Sequence, residues 1–522
     1  MKLIITLFLS GLCCFSALAQ VKQRKLGPPG VNFSTFNYWT PYVCLDGNTV
    51  VFTGDDTDDK TIGAFLSQRT GVDWKEPIMI PKRITANSFL SANTLSQDGK
   101  TLYITARRGQ TMGGFDILWS QFAGTFTDPQ PMGAPINSAS HDAAPTFSPD
   151  GTTIYFMRCN KMSFESADEC KIMTSRKKNG VWETPTELPA SINAGNSQMP
   201  RMLADGQSFL FSSDKHTPSK GGMDLYMTKL VDGQWSAPVN LEFINTAKND
   251  IYASASSGAV YLMKDAQGDK KSELVEFQFP AEVKPKATVR VMGTVEGLSD
   301  LTSATITLVN LETKKTVYNF RPSDKGAFVC YIPEGNSYGL FVDPPTENFQ
   351  YFGKRYDLVN VKKLSPSDKV VATLKPISPG DEIELTGIAF KPFSSELDPT
   401  STVELQKIAR MIRGNAGLNF NVDVTLMGLM NDSIQTEDLT EATPDTVLYQ
   451  KEVRIDSVTI ETRDSLAIEF MYHNDRTKKQ AQAILAFFTK QSVKPEKISL
   501  TYKAVAEPVA EKRKTVVYLK AR

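Results

Sequence analysis

The 522-residue sequence has few histidines and no excess charge of either sign. Only His141, His216 and His473 are present, so a catalytic triad has few candidate bases. The 58 basic residues balance 58 acidic ones, which argues against a nucleic-acid partner, because phosphate binding needs a basic face. Beyond the N-terminus no stretch reaches the roughly 18 apolar residues of a membrane-spanning helix, so the mature chain is predicted to lack a transmembrane segment.

Residues 1–19 are typical of a secretory signal peptide. Met1 and Lys2 give a short basic start, an apolar run follows from Leu3 to Leu12, and Ala17-Leu18-Ala19 is a small-x-small cleavage site. Lipidation at Cys13 or Cys14 is the alternative, which we disfavour because the residues before them lack the usual lipoprotein pattern. The chain is therefore predicted to be exported.

Cleavage would leave four cysteines, Cys44, Cys159, Cys170 and Cys330. Cys159 and Cys170 flank a short polar loop between two strand-like runs, so they are candidates for a local disulfide in an oxidising compartment. Two separate buried thiols are the alternative.

A unit made of an apolar strand, a tight turn and a second apolar strand recurs five times. The turns are Asp46-Gly47, Asp98-Gly99, Asp150-Gly151, Asp205-Gly206 and Ser257-Gly258. Their spacings are 52, 52, 55 and 52 residues, and so regular a period indicates units that bury their apolar faces on one another. The Asp-Gly pairs suit tight hairpins, and no helix follows them as a phosphate-binding loop would require.

Further recurring marks complete four short strands in each unit. A glycine-rich loop precedes an aspartate at Asp116 and Asp224, and a last strand begins with an aromatic residue three positions before a proline, as in Trp182 to Pro185. Four short strands repeated radially indicate a β-propeller. The run from Ser148 to Phe156, with its Pro-Asp-Gly turn, resembles the propeller repeats of periplasmic TolB-like proteins.

We predict a five-bladed propeller over residues 20–280, with six blades as the alternative. The fifth unit lacks its last strand, and Val21–Leu26 is placed to supply it and close the ring without a free edge. Loops at the two ends of a propeller are expected to bind a protein partner. In one such loop Asp55, Asp56, Asp58 and Asp59 are weak candidates for calcium ligands, and a solvated hairpin tip is the interpretation we favour. No other metal or cofactor is expected.

Residues 281–287 read as a linker and residues 288–376 as a small antiparallel β-sandwich. The order of its strands and turns resembles the carboxypeptidase regulatory-like domains, which serve as spacers. Gly335 to Gly339 matches the G-x-S-x-G pattern of a hydrolase nucleophile. A strand is predicted on each side of Ser337, where a nucleophile elbow needs a following helix, so no catalytic role is expected for it.

Residues 380–522 form a β-α-β-α-β pattern. Ser401 with Glu404 suggests a capping box before a helix whose apolar stripe includes Leu405 and Ile412, and a second helix contains Ala481. This order resembles the OmpA-like C-terminal domain, whose family role is to hold peptidoglycan.

The chain departs from the OmpA-like pattern at both ligand contacts. The resemblance places Asn431 where the family has its ligand-binding aspartate, with Asp432 one residue beyond, and Gln480 where the family has arginine. An insertion at about 433–470 is acidic, and residues 432–475 carry eleven acidic and three basic side chains. We expect a retained fold with a lost ligand, and binding through Asp432 is the alternative.

The order of these segments resembles a group of Bacteroidota cell-envelope proteins, some of them linked to type IX secretion. The resemblance implies a periplasmic protein associated with the outer membrane. We predict a non-enzymatic scaffold or adaptor whose propeller binds an envelope protein and whose OmpA-like domain faces peptidoglycan or another envelope protein. A periplasmic sensor that binds a small molecule or metal on its propeller is the alternative. Because no nucleophile, base or metal cluster stands out, the chain is predicted not to be an enzyme.

Overall fold

The computed structural model describes the chain except residues 1–21, 27–30, 33–35, 56–61, 72, 86–88, 110, 268–270, 392–393, 428–441, 457–459, 473–475 and 506–514. The predicted signal peptide at 1–19 therefore lies outside the described residues. The chain divides into two compact units, Met1–Pro285 and Lys286–Arg522. Among the described residues no helix is long and apolar enough to cross a bilayer.

The first unit consists of five antiparallel sheets, numbered I to V. Strand β1 (Gln23–Lys25) comes first in the chain. Sheet I contains β2 (Asn37–Val43), β3 (Thr49–Asp55), β4 (Ile62–Thr70), β5 (Asp73–Trp74) and β6 (Ile78–Met79), and sheet II, which follows helix α1 (Lys82–Thr85), contains β7 (Phe89–Leu95), β8 (Thr101–Ala106), β9 (Asp116–Gln121) and β10 (Gln130–Pro131). Sheet III contains β11 (His141–Phe147), β12 (Thr153–Met162), β13 (Ala167–Lys178), β14 (Val181–Trp182) and β15 (Thr186–Glu187). Sheet IV contains β16 (Ser197–Met202), β17 (Ser208–Ser213), β18 (Asp224–Val231), β19 (Gln234–Trp235) and β20 (Val239–Asn240), and sheet V contains β21 (Ala253–Ala255), β22 (Tyr261–Gln267) and β23 (Ser272–Gln278).

The recurring Asp-Gly pairs form the hairpin turns between the first two strands of sheets I to IV. In each turn the glycine has a positive φ, between 66° and 74°, which residues with a Cβ adopt at a cost. The aspartate accepts a hydrogen bond from the backbone N–H two residues on, as Asp150 does from Thr152 at 3.1 Å. In sheet V, where Ser257 replaces the aspartate, the positive φ moves to Ala259.

The last strand of sheets I, III and IV is split in two. In sheet IV, β19 and β20 both pair with β18, and Pro238 lies between them. Proline has no N–H to give to the ladder, so pairing stops there and resumes after it. The prediction of a strand from the aromatic residue to the proline is therefore wrong in these three sheets, because that stretch, as from Trp235 to Pro238, spans the break between the two short strands.

The sheets are joined in sequence, four of the five junctions by hydrogen bonds between first strands and the junction of sheets IV and V by an apolar cluster. Val43 N–H donates to Ser254 Oγ at 3.0 Å, which joins sheet I to sheet V. Sheets IV and V share an apolar cluster that includes Leu210 and Leu262. Tyr42 Oη of sheet I donates to the Leu95 carbonyl of sheet II. Thr94 Oγ1 of sheet II donates to the Pro145 carbonyl of sheet III. Met202 N–H of sheet IV donates to Thr146 Oγ1 of sheet III.

A second recurring element is a buried asparagine in the segment that leads into a sheet. Each asparagine exchanges two hydrogen bonds with one residue in the third strand of the preceding sheet. The pairs are Asn137 with Ile117, Asn193 with Ile172, Asn245 with Leu225 and Asn32 with Leu274. Because Asn32 lies near the N-terminus and Leu274 lies in sheet V, the last pair ties the two ends of the unit together.

Strand β1 completes sheet V. Gln23 to Lys25 pair antiparallel with Phe277 to Val275 of β23, at the position of the missing last strand. The pairing predicted for the N-terminal segment is therefore confirmed.

The second unit begins with two packed sheets. One holds β24 (Thr288–Glu296), β27 (Ala327–Pro333) and β30 (Ser367–Thr373); the other holds β25 (Thr305–Asn310), β26 (Thr316–Phe320), β28 (Ser337–Asp343) and β29 (Phe352–Asp357). An apolar cluster with Val291, Leu308 and Leu340 lies between them. The prediction of a purely antiparallel sandwich is wrong for β30, which runs parallel to β24.

The rest of the unit is an α+β module. Its elements are β31 (Glu382–Glu384), α2 (Thr402–Gly414), β32 (Phe420–Met427), β33 (Ala442–Arg454), β34 (Ile460–Tyr472), α3 (Arg476–Lys490), β35 (Ile498–Val505) and β36 (Thr515–Ala521). The main sheet has the order β31-β36-β32-β35, with β32 and β35 parallel. The predicted capping box is wrong: Ser401 Oγ bonds Ala389, and Asp398 caps a short 3₁₀ turn ahead of the helix.

The sandwich and the α+β module share one core. Phe341 and Tyr351 of the sandwich belong to the same apolar cluster as Leu405 and Ile484 of the helices. Tyr351 Oη donates to the buried Glu404 carboxylate at 3.0 Å. The two modules therefore pack as one body within this unit.

Candidate functional site

The acidic insertion of the α+β module contains a long β-hairpin. Strands β33 and β34 pair from Ala442 with Tyr472 to Arg454 with Ile460, and they form a two-stranded sheet with no further strand in the part of the chain that the structure describes. From the sequence, only an insertion with a net negative charge was predicted for this segment. Large apolar residues at every second position from Leu466 to Tyr472 were the available signal for a strand.

One face of this hairpin exposes a group of large aliphatic side chains. Leu448 and Leu466 face each other in the ladder with 63% and 69% of their surfaces exposed, and Ile468 beside them is 66% exposed. Two strands alone are marginally stable in water, and exposed apolar patches mark places where another molecule binds. We call Leu448, Leu466 and Ile468 the hairpin patch.

The hairpin can also bind through its backbone. Because β33 and β34 pair only with each other among the described strands, the outer edge of each offers unpaired N–H and C=O groups. Such edges accept an added strand from a partner, whose alternate side chains would then meet the hairpin patch. The same element thus supplies both an apolar face and hydrogen-bonding edges.

Gln480 lies inside the α+β module. It is fully buried on α3, and its Nε2 donates to the Ser394 carbonyl at 3.0 Å. Its Oε1 has no hydrogen-bond partner among the described residues. The side chain therefore anchors the turn between β31 and α2, and it carries no charge with which to hold a ligand carboxylate.

The other predicted peptidoglycan contacts, Asn431 and Asp432, lie outside the described residues, so Gln480 is the one predicted position whose surroundings are known. Of the weak calcium candidates, Asp55 ends strand β3, whereas Asp56, Asp58 and Asp59 lie outside the described part. Within the described residues no group of three or more histidine, cysteine or acidic side chains is arranged to hold a metal ion.

Cys159 and Cys170 form a disulfide between neighbouring strands β12 and β13, where the two residues are directly paired. Ser337 of the G-x-S-x-G run begins strand β28, and its backbone N–H donates to the carboxylate of Glu312 at 2.9 Å. A strand continues from it and not a helix, so the local geometry is not that of a nucleophile elbow.

Buried charges of the first unit pair at the junctions between sheets. Lys264 and Asp250 form a fully buried ion pair near sheet V. The Glu276 carboxylate accepts hydrogen bonds from Arg69 Nη2 at 2.8 Å and Trp74 Nε1 at 3.0 Å. These groups hold sheets together.

Asp116, in the recurring glycine-rich loop, accepts a hydrogen bond from Met112 N–H through Oδ2 at 2.6 Å, while its Oδ1 has no partner among the described residues. Burial raises the pKa of this carboxyl to about 6. Its counterpart Asp224 is bonded through both oxygens.

No known protein family matches the chain by sequence, and no curated protein does so either. Several solved structures are similar in fold. A TolB-like protein from Agrobacterium tumefaciens is 16% identical over 57% of this chain and 92% of that chain, with a TM-score of 0.29. A GH43_1 enzyme from Xanthomonas citri is 11% identical over 51% and 94%, with a TM-score of 0.35. An oligogalacturonate lyase from Vibrio parahaemolyticus is 9% identical over 51% and 96%, with a TM-score of 0.31.

The chain itself is mainly β, as predicted, and the structures that it is similar to include a TolB-like protein. They also correct one expectation. The prediction that the chain is not an enzyme is wrong, because similar propeller structures include glycoside hydrolases and a lyase. Catalytic residues of a propeller come from loops far apart in sequence, so the lack of a local motif was no ground for excluding an enzyme.

Proposed function

We propose that the protein is an exported scaffold of the cell envelope that holds a partner protein on the hairpin of its second unit. The observation that carries this proposal is the hairpin patch, three large aliphatic side chains exposed on a sheet that has two strands in the described part of the chain. A partner strand added along β34 would satisfy its free edge, and the partner's side chains would cover Leu466 and Ile468. The partner is therefore expected to contribute an extended, partly apolar segment.

The proposal includes the finer architecture. We assign five blades to the propeller, supported by the five sheets and the links that join each to the next, including sheet V to sheet I. We assign an OmpA-like fold to the α+β module, supported by its element order and parallel β32–β35 pair. Loops between the blades are the proposed site for a further envelope protein, and the location is proposed to be the periplasm beside the outer membrane.

We further propose that the OmpA-like module has lost peptidoglycan binding. The support is Gln480, which is buried and uncharged and whose Nε2 donates to the Ser394 carbonyl inside the module. Purified protein mixed with peptidoglycan sacculi should stay in the supernatant after sedimentation. Strong retention that disappears in Asp432→Ala would contradict this part of the proposal, while leaving the hairpin part intact.

Site-specific photo-crosslinking in the native envelope tests the main proposal. A photoreactive phenylalanine at Leu448 or Leu466 should give a crosslinked band of one discrete mass. The matched control is Val371, a 57% exposed valine on strand β30, which should give no such band. Leu448→Asp with Leu466→Asp should reduce the crosslink at Ile468 at least tenfold, because charge opposes burial in an apolar contact.

Two results would overturn the adaptor proposal. One is equal crosslinking at the hairpin and at Val371, which would mean that the hairpin patch is not special. The other is a band that contains only two copies of this chain. Circular dichroism of the double variant checks that the second unit still folds.

A further inference from the structure

The interior of the first unit holds a buried arginine that reaches between sheets. Arg201, on strand β16 of sheet IV, is 3% exposed, and its Cζ lies 5.7 Å from the centre of the Tyr42 ring. Tyr42 belongs to sheet I, and sheet V lies between sheets IV and I in the order of links. Two non-neighbouring sheets can meet only near the middle of the ring, so the guanidinium lies there.

Arg201 differs from the residues that occupy the same place in other sheets. The first strand of sheets I to IV contains a bulge, and the residues that resume pairing after it are Tyr42, Thr94, Thr146 and Arg201. The side chains of the first three make the hydrogen bonds that join successive sheets. Within the described part of the first unit the Arg201 side chain makes no such link: its hydrogen bond there runs from Nη1 to the Pro200 carbonyl in its own strand, at 3.0 Å.

The guanidinium therefore keeps one hydrogen-bonding edge unused. Nη1 is occupied, whereas Nε is buried without a partner among the described residues, and no described residue accepts from Nη2. Nε and Nη2 form the side edge of the guanidinium, whose two parallel N–H groups match the two oxygens of a carboxylate.

The charge on Arg201 is also uncompensated. No aspartate or glutamate in the described part of the chain forms an ion pair with it, and the groups that act on its charge are the phenols of Tyr42 and Tyr252. Burial lowers the pKa of Arg201 to about 10, so the side chain stays charged at neutral pH. A buried cation without a counter-ion is strongly unfavourable, and a bound anion would remove that cost.

We propose that Arg201 anchors an oxyanion-binding site in the middle of the first unit, with a carboxylate as its ligand. Tyr252, which is half-buried and acts electrostatically on Arg201, provides a second polar group near it. The carboxylate comes either from a small free acid or from the C-terminal end of a peptide chain. This site is independent of the hairpin, so it stands or falls separately from the scaffold function.

Thermal unfolding of the full chain, followed by tryptophan fluorescence, tests the proposal. All five tryptophans, at positions 39, 74, 119, 182 and 235, lie in the first unit, so the signal reports on that unit alone. The probes are sodium acetate, trialanine and trialanine amide, each balanced with sodium chloride to constant ionic strength. Above its dissociation constant a bound ligand should raise Tm by about 3–5 °C per tenfold increase in concentration.

Three variants test whether the rise in Tm depends on the Arg201 side chain. Arg201→Met should abolish the rise and, in chloride alone, melt at or above the wild-type temperature, because an unpaired buried cation has been removed. Arg201→Lys keeps the charge without the fork and should show a smaller rise. Arg176→Met removes an exposed arginine from strand β13 and should behave as wild type.

The possible results distinguish a free acid from a peptide terminus as the source of the carboxylate, and they show which results would contradict the proposal. A larger shift with trialanine than with acetate, lost in the amide, identifies a peptide terminus; equal shifts with acetate and trialanine identify a small acid. No oxyanion-dependent shift in the wild type, or a shift that persists in Arg201→Met, would overturn the proposal. If Arg201→Met does not fold, the comparison of Arg201→Lys with wild type decides.

Discussion

The variant Glu276→Gln tests whether the Glu276 carboxylate stabilises the contact between sheets V and I, which closes the ring of the first unit. Glu276 lies on β23 of sheet V and is buried, yet its partners belong to other elements. Arg69 and Trp74 of sheet I donate to one oxygen, and Arg24 of β1 lies 3.4 Å from the other. One carboxylate therefore ties the first sheet, the last sheet and the N-terminal strand together.

The loss of stability expected for Glu276→Gln can be estimated from the loss of the carboxylate's negative charge. Glutamine keeps the shape and one acceptor oxygen for Arg69 and Trp74, but it loses the negative charge and places an NH2 group beside Arg24. A hydrogen bond to a charged group contributes roughly 1.5–3 kcal/mol, against about 1 kcal/mol for a neutral pair. The side chains of Arg24 and Arg69 are 24% and 18% exposed, so water partly solvates them when the charge is removed. We expect a loss of about 2 kcal/mol in the free energy of unfolding.

The assay is the tryptophan-detected melt of the full chain. A loss of that size lowers Tm by roughly 4–8 °C for a unit of this length. Glu187→Gln, at an exposed position on β15, is the matched control and should melt within about 1 °C of wild type. If Glu276→Gln melted with the control, this carboxylate would not hold the ring closed. A higher Tm would mean that burying the negative charge is a net cost.

Three other predictions use the same unit. Reduction of the Cys159–Cys170 disulfide, which spans 11 residues, should lower stability by about 2–3 kcal/mol, seen as a lower Tm in dithiothreitol that the Cys159→Ser, Cys170→Ser variant no longer shows. The pKa of Asp116 is raised from 3.8 to about 6, so the folded state loses stability as pH rises between those values; Asp116→Asn should gain Tm relative to wild type across this interval, and a pH-independent difference would contradict the assignment. Lys264→Met leaves Asp250 buried without its cation and should cost about 3–5 kcal/mol in urea unfolding, while adding Asp250→Asn, which removes the unpaired charge and keeps an acceptor for Thr246, should recover part of that loss.

Features that depend on nearby residues were predictable from the sequence. The Asp-Gly turns need only a positive φ and a short side-chain acceptor, so Asp150-Gly151 identifies its hairpin without reference to the rest of the chain. The apolar stripe that includes Ile408 and Ile412 predicted a buried face of α2, which is confirmed. The role of the N-terminal strand was predictable because one unit of a regular repeat was incomplete.

Features that depend on register or on distant partners were not predictable. Asn193 is one polar residue in an ordinary segment, and its role follows only once β13 places Ile172 opposite it. Ser401 has the sequence of a helix cap, yet its hydroxyl bonds Ala389 instead, since the chain folds back there. In the sequence Arg201 is one residue of a strand among others. Its guanidinium edge, unpaired among the described residues, could not be predicted, because it depends on which sheet faces Arg201 across the interior.

The pairing of Gln23 with Phe277 also sets an order on folding. Sheets II to IV are built from hairpins of neighbouring strands, so each can form as soon as its own residues are available. Sheet V needs residues from both ends of the unit, and contacts between such distant residues form slowly. Any protein that binds residues 22–26 would therefore leave sheet V without its last strand, and its release would let the first unit reach its final form.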